Sequence, residues 1–210
     1  GQAYDIPIYH AFTVGRVRFL VLDLRSESED TLDNTLWLDS NKPTMLGAAQ
    51  KDWLRGELES HGDYGMMVMV SSKPWTGADD KEKCCKWMNY PEERVEVAEM
   101  IKAAGATNVI MTAGDAHMVA YDDGSNTDFA AGGGAGIPLM HSAPLHQVNS
   151  YKGGPYSEGC YAREVTTSEY MTWYMTFGKE APSSHQFSVM EVTDTGTEIS
   201  FKACVLRFCH

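Results

Sequence analysis

Several signatures are missing from this chain of 210 residues, and each absence removes a class of function. No run reaches the roughly 18 consecutive apolar residues of a membrane-spanning helix. The five cysteines (Cys84, Cys85, Cys160, Cys204 and Cys209) form no Cys-x-x-Cys pair, which argues against a structural zinc knuckle. No Gly-x-Gly-x-x-Gly follows the first apolar run, so a dinucleotide-binding fold is not expected. Gly132-Gly-Gly-Ala-Gly136 is not followed by Gly-Lys-Ser/Thr and is no nucleotide phosphate loop. Neither a Gly-x-Ser-x-Gly elbow nor a His-Glu-x-x-His pair occurs, which disfavours serine hydrolases and zincins. Basic residues are scarce, 17 Lys and Arg against 29 Asp and Glu, for a net charge of −12. Such a balance opposes nucleic-acid binding, and it repels phosphorylated ligands unless bound cations reverse the local sign. Gly1 begins abruptly in polar sequence with no visible leader, so a processed chain or a fragment is expected.

What is present suffices for one domain with a core. Three apolar runs read as buried strands: 17–22, 66–70 and 108–113. Between the first two, a helix is expected with Thr44 as N-cap and Leu46, Trp53, Leu54 and Leu58 on one stripe. Between the last two, Pro91 opens a second helix and Glu92 and Glu93 suit its first turn. Val95, Ala98, Ile101 and Lys102 continue its period, and Gly105 closes it. Segments 26–43 and 73–89 read as loops. Residues 129–131 suggest a short strand, and 187–192 with 198–206 suggest a hairpin turning at Thr195-Gly196. The alternation of strands and helices implies a mixed α/β sheet covered by helices.

Each of the three apolar runs ends in polar residues: Asp23 and Arg25, Ser71 and Ser72, Asp115 and His117. If those strands are parallel neighbours, the three ends gather at one sheet edge, where α/β proteins hold ligands. Gly114-Asp115-Ala116-His117 stands out among them. A hard carboxylate oxygen and an imidazole two residues apart can reach one metal ion or one phosphate. Gly114 is expected to let the backbone turn sharply. Arg25 offers a forked guanidinium to phosphate oxygens. The bland alternatives are a solvated turn at Asp115 and a surface ion pair of Arg25 with Glu27, Glu29 or Asp30.

Seven segments resemble the PhoD-type (alkaline phosphatase D) metallophosphatases, in that family's order. They are Pro7 to Ser26, Thr44 to Leu54 with Lys73-Pro-Trp75, Tyr90-Pro-Glu-Glu-Arg94, Gly114 to Met118, Gly132 to Gly136, and Lys152 to Gly159. The resemblance covers roughly residues 7–160 and implies a calcineurin-like αββα sandwich of mixed sheets flanked by helices. It implies that 1–210 is the C-terminal portion of one such domain, whose N-terminal half is a partner supplying most metal ligands.

The implied activity is metal-dependent hydrolysis of phosphate mono- or diesters, in a secreted or extracytoplasmic (periplasmic or cell-surface) protein. The family suggests iron with calcium; Asp and His also suit manganese or zinc. Asp115 and His117 match its metal- and phosphate-contacting motif. In that scheme, metal-activated water attacks phosphorus in line. Arg25 neutralises the oxyanion, and His117 assists the leaving group. Asp23 reads as an orienting residue; Ser72, His141 and Tyr156 read as candidates lining the pocket. A second arginine expected three residues after Arg25 is Ser28 here. That departure keeps open a second reading, a catalytically degenerate subunit serving an extracellular assembly. In a secreted protein some cysteines would pair as disulfides; otherwise several are buried thiols.

Overall fold

The computed structural model describes residues 6–29, 43–79, 86–116, 119–142, 153–156 and 186–207. Along the chain, β1 (His10–Val14) and β2 (Val17–Val21) form an antiparallel hairpin. Then come α1 (Gly47–Glu59), β3 (Met66–Ser71), α2 (Pro91–Ala104) and β4 (Val109–Ala113). Two short strands follow, β5 (Ala120–Asp122) and β6 (Leu139–His141), and then the long hairpin β7 (Gln186–Asp194) and β8 (Ile199–Arg207). The first six strands make one sheet in the order β1-β2-β3-β4-β6-β5. β2, β3, β4 and β6 run parallel, with antiparallel β1 and β5 at the two edges.

The period-2 alternation of strand side chains sorts them onto two faces. Leu20, Met67, Met69, Val109 and Met111 lie in one cluster with Leu54 and Leu58 of α1 and Val97, Ala98 and Ile101 of α2. Val17, Met66, Val68 and Ile110 form a second cluster, against which Met190, Val192, Ile199 and Phe201 of the β7–β8 hairpin pack. The sheet is therefore mixed α/β, with a helix layer on one face and a two-stranded layer on the other. Arg16 fixes the second layer: its guanidinium grips Asp194 with three hydrogen bonds of 2.6–3.2 Å.

Both helices form where their stripes and breakers place them. α2 starts on Pro91 and ends at Gly105, whose φ of 65° is the left-handed C-cap that glycine adopts cheaply. Val95 departs from expectation at 39% exposed; the buried face of α2 includes the charged Glu93 and Arg94 instead. α1 starts at Gly47, so Leu46 is its N-cap, not Thr44. The Thr44 hydroxyl still accepts from the Gly47 N–H at 2.8 Å. Glu93 of α2 completes the cap. It accepts from the N–H of Met45 (2.7 Å) and of Leu46 and from the Thr44 hydroxyl, with Lys51 Nζ 3.6 Å away. Residues 129–131 are not a strand. The Asp128 carboxylate accepts from the N–H of Ala130, Gly134 and Ala135 and wraps the chain into a turn. Of the cysteines, only Cys204, in β8, falls among the described residues, so the disulfide expectation lies outside them.

Candidate functional site

Parallel pairing brings the strand ends together. Val21 is opposite Val70, Ser71 opposite Ala113, and Ala113 opposite His141. Asp23, Ser72, Lys73, Asp115 and His141 therefore all sit at the carboxyl edge of the sheet, where α/β folds place ligands.

At the end of β2, Asp23 is buried and works locally. Its Oδ1 accepts from the N–H of Arg25 (3.0 Å) and of Ser26 (3.1 Å). Burial alone would raise its pKa. Hydrogen bonds from the Ser26 side chain and from these two amides outweigh burial and hold the carboxyl below its ordinary value. Gln50 of α1 grips the same residue from the other side: its Oε1 accepts from Asp23 N–H at 2.9 Å and its Nε2 donates to Asp23 C=O at 2.8 Å. Asp23 thus sets the turn that presents Arg25, which is exposed. Ser28 points to the protein instead, 2.8 Å from the Tyr90 hydroxyl, which itself donates to the Glu29 carbonyl at 2.6 Å.

At the end of β3, the Ser71 hydroxyl donates to the Lys73 carbonyl (2.7 Å) and accepts from Trp87 Nε1 (3.1 Å). Ser72 is exposed, whereas the Lys73 side chain is only 7% exposed, with Nζ 3.9 Å from Asp115 Oδ1. Beyond it, Arg94 Nη1 donates to the carbonyls of Trp75 and Gly77, and Nη2 to Asp79 at 2.6 Å, pinning the following loop.

At the end of β4 the expected role of Gly114 moves by one residue. Positive φ belongs to Asp115, at 69°, the one non-glycine residue in that region among those described. A Cβ on Gly114 would meet only the Ser72 carbonyl at an ordinary 3.7 Å. The Ala116 N–H donates to the Gly114 carbonyl at 2.9 Å, closing a three-residue turn around Asp115. A γ-turn with positive central φ is the rare, strained form. Strain of this kind persists where the surroundings enforce it, and it clusters at functional sites. The Asp115 side chain is 27% exposed. His117 lies outside the described residues.

At the end of β6, His141 is fully buried and stacks on Tyr156, ring centroids 6.3 Å apart at 16°. Burial pushes the Tyr156 phenol well above its ordinary value and the nearby Asp122 charge adds to this, against a hydrogen bond with Thr76. The pair belongs to the interior behind the edge. A cavity of about 460 Å³ opens elsewhere, between the end of β2 and the start of α1, lined by Tyr9, Asp23, Ser26, Gly47 and Gln50 but not by Asp115 or His141.

Lys73 and Gln50 were the residues that sequence reasoning left without a role, although both stand inside blocks of the family resemblance. The signal for Lys73 is a cation directly after a buried strand; for Gln50 it is an amide on an otherwise apolar helix face. Among the described residues no group of three or more His, Cys, Asp or Glu is arranged to hold a metal ion. Asp115 can contribute one carboxylate; a hard cation takes about six ligands.

No curated protein matches the chain. A solved structure of PhoD is similar in fold, with a TM-score of 0.52 and 23% sequence identity. The match covers 66% of this chain and 29% of that one, so the chain spans less than a third of that structure's length. The family model described as PhoD-like phosphatase matches residues 2–174, and the chain belongs to that family.

Proposed function

We propose that this chain supplies one side of the active site of a metal-dependent hydrolase of phosphate mono- or diesters. The observation that supports this most directly is the strained Asp115 turn at the carboxyl edge of the parallel strands, with Lys73 Nζ 3.9 Å away and the Arg25 turn on the same edge. Asp115 and His117 would be the residues of this chain that hold metal, and the N-terminal half of the same domain would supply the remaining ligands. Iron with calcium is the pair suggested by the family resemblance, with manganese or zinc as alternatives. Such cations would supply Lewis acidity and lower the pKa of a bound water.

The other groups work on the substrate or on one another. Arg25 holds a phosphoryl oxygen through its fork, and Asp23 orients the turn that carries it. As the alternative to ligating metal, His117 would protonate the leaving oxygen. Ser72 lies at the rim, with His141 and Tyr156 stiffening the edge from within. The setting is secreted or extracytoplasmic.

The test is hydrolysis of p-nitrophenyl phosphate and bis-p-nitrophenyl phosphate by the full-length, metal-loaded protein. Turnover that a chelator removes and metal restores is expected; an intact, metal-loaded protein with none would end this reading.

One observation favours a second reading. Ser28 occupies the position of an expected arginine and is turned to Tyr90. A subunit that had lost catalysis would contain no stoichiometric metal, so elemental analysis of the full-length protein separates the two readings.

A further inference from the structure

The Lys73 side chain is 7% exposed at the sheet edge, next to Asp115. Burying a lysine head costs several kcal/mol unless something answers its charge. Among the described residues, the carboxylate within 4 Å of Nζ is Asp115, at 3.9 Å, beyond the 2.7–2.9 Å of a direct charge-assisted hydrogen bond. Among those residues Nζ makes no direct hydrogen bond, although an ammonium has three N–H donors to give. Its backbone is meanwhile fixed on both sides, by the Ser71 hydroxyl at the Lys73 N–H (3.2 Å) and at its C=O (2.7 Å). A rigidly mounted cation with N–H donors to give, at the carboxyl edge of the sheet, is arranged to meet an anion there.

We propose that Lys73 is a substrate-contacting residue: its ammonium donates to a non-bridging phosphoryl oxygen of the ester, on the Asp115 side of the site. This deepens the phosphatase reading and rests on it. The chemistry follows from charge. A phosphate ester approaching a protein of net charge −12 needs fixed cations where it lands. An ammonium is a compact point charge suited to a single oxygen, whereas the fork of Arg25 suits two. Because Lys73 is tied to β3 and Arg25 to the turn after β2, the two cations approach the phosphoryl group from adjacent strand ends.

The experiment compares wild type, Lys73→Met and Lys73→Arg in the full-length, metal-loaded protein. Inorganic phosphate binding is followed by calorimetry, metal content by elemental analysis and fold by circular dichroism. Methionine fills the buried space without charge, and arginine restores it. Lys73→Met is expected to bind phosphate about tenfold or more weakly with unchanged metal content, and Lys73→Arg to recover most of the loss. Equal phosphate affinity in wild type and Lys73→Met overturns the assignment, as does loss of metal in Lys73→Met. Chelator-sensitive turnover in wild type alongside either of those results removes Lys73 alone. Absence of such turnover in wild type removes the phosphatase reading with it.

Discussion

The side-chain amide of Gln50 and the peptide of Asp23 clasp each other in both directions, at 2.9 and 2.8 Å, and so fasten the first helix to the end of the second strand. Gln50 is 2% exposed, so both bonds are shielded from bulk solvent. Gln50→Leu leaves a buried N–H and C=O without partners and is expected to destabilise by about 1–3 kcal/mol. Gln50→Glu keeps the acceptor and loses the donor. Thermal denaturation should rank wild type above both. If the turn at Asp23 presents Arg25 to substrate, KM rises in both variants more than kcat falls.

Asp115 tests strain against chemistry. Aspartate and asparagine tolerate positive φ better than other side chains, because their short polar groups bond locally. Asp115→Asn should therefore fold with stability within about 1 kcal/mol of wild type, while Asp115→Ala loses about 1 kcal/mol more. Both are expected to abolish chelator-sensitive hydrolysis. Denaturant titration paired with the p-nitrophenyl assay checks both halves, and an Asp115→Asn protein with full activity would contradict the assigned role.

The Arg16–Asp194 pair carries a pH signature. Its hydrogen bonds from Arg16 pull the Asp194 carboxyl down from 3.8 to about 2. A depressed carboxyl stabilises fully above its unfolded value, so this contribution is complete above pH 4. It declines as acid protonates the group and is gone below about pH 2. Asp194→Asn should flatten that part of the stability profile and leave the neutral region with a small, salt-sensitive deficit. Melting temperature against pH, at low and high salt, measures it.

Arg94 is a larger structural commitment. Its guanidinium is buried, donates to two main-chain carbonyls and to Asp79, and lies 3.8 Å over the Phe129 ring. Lysine cannot reproduce that fork. Arg94→Lys is expected to cost about 2–4 kcal/mol, mostly through the unsatisfied carbonyls of Trp75 and Gly77. Hydrogen exchange at residues 75–79 should accelerate more than in β4, since that segment is what the side chain pins.

The sequence was readable where burial and local geometry agree. β3 is an unbroken apolar run because its neighbours cover both faces, and α2 announces itself through Pro91 and Gly105. β1 was not readable: it is an exposed edge strand whose formation depends on the turn at Gly15 and on pairing with β2. β5 and β6, three residues each, exist through pairing at the far side of the sheet. The expected strand at 129–131 failed because Asp128 offers the backbone amides a competing acceptor. Val95 misled the periodicity because Glu93 and Arg94 are buried by pairing, which a hydrophobic count cannot register. At the site, Asp115 stood out through its motif. Lys73 did not, since its nearness to Asp115 arises only once β3 and β4 lie side by side.

Glu93 lends its carboxylate to amides nearly fifty residues earlier in the chain. The opening turn of the first helix is thus finished by the second, and neither is a self-sufficient module. During synthesis, the amides of Met45 and Leu46 must wait for Glu93 to emerge and dock before they find their acceptor. Exchange protection at those two positions is a reporter of helix–helix docking rather than of helix formation, and any lesion that loosens the second helix should be felt first at the doorstep of the first.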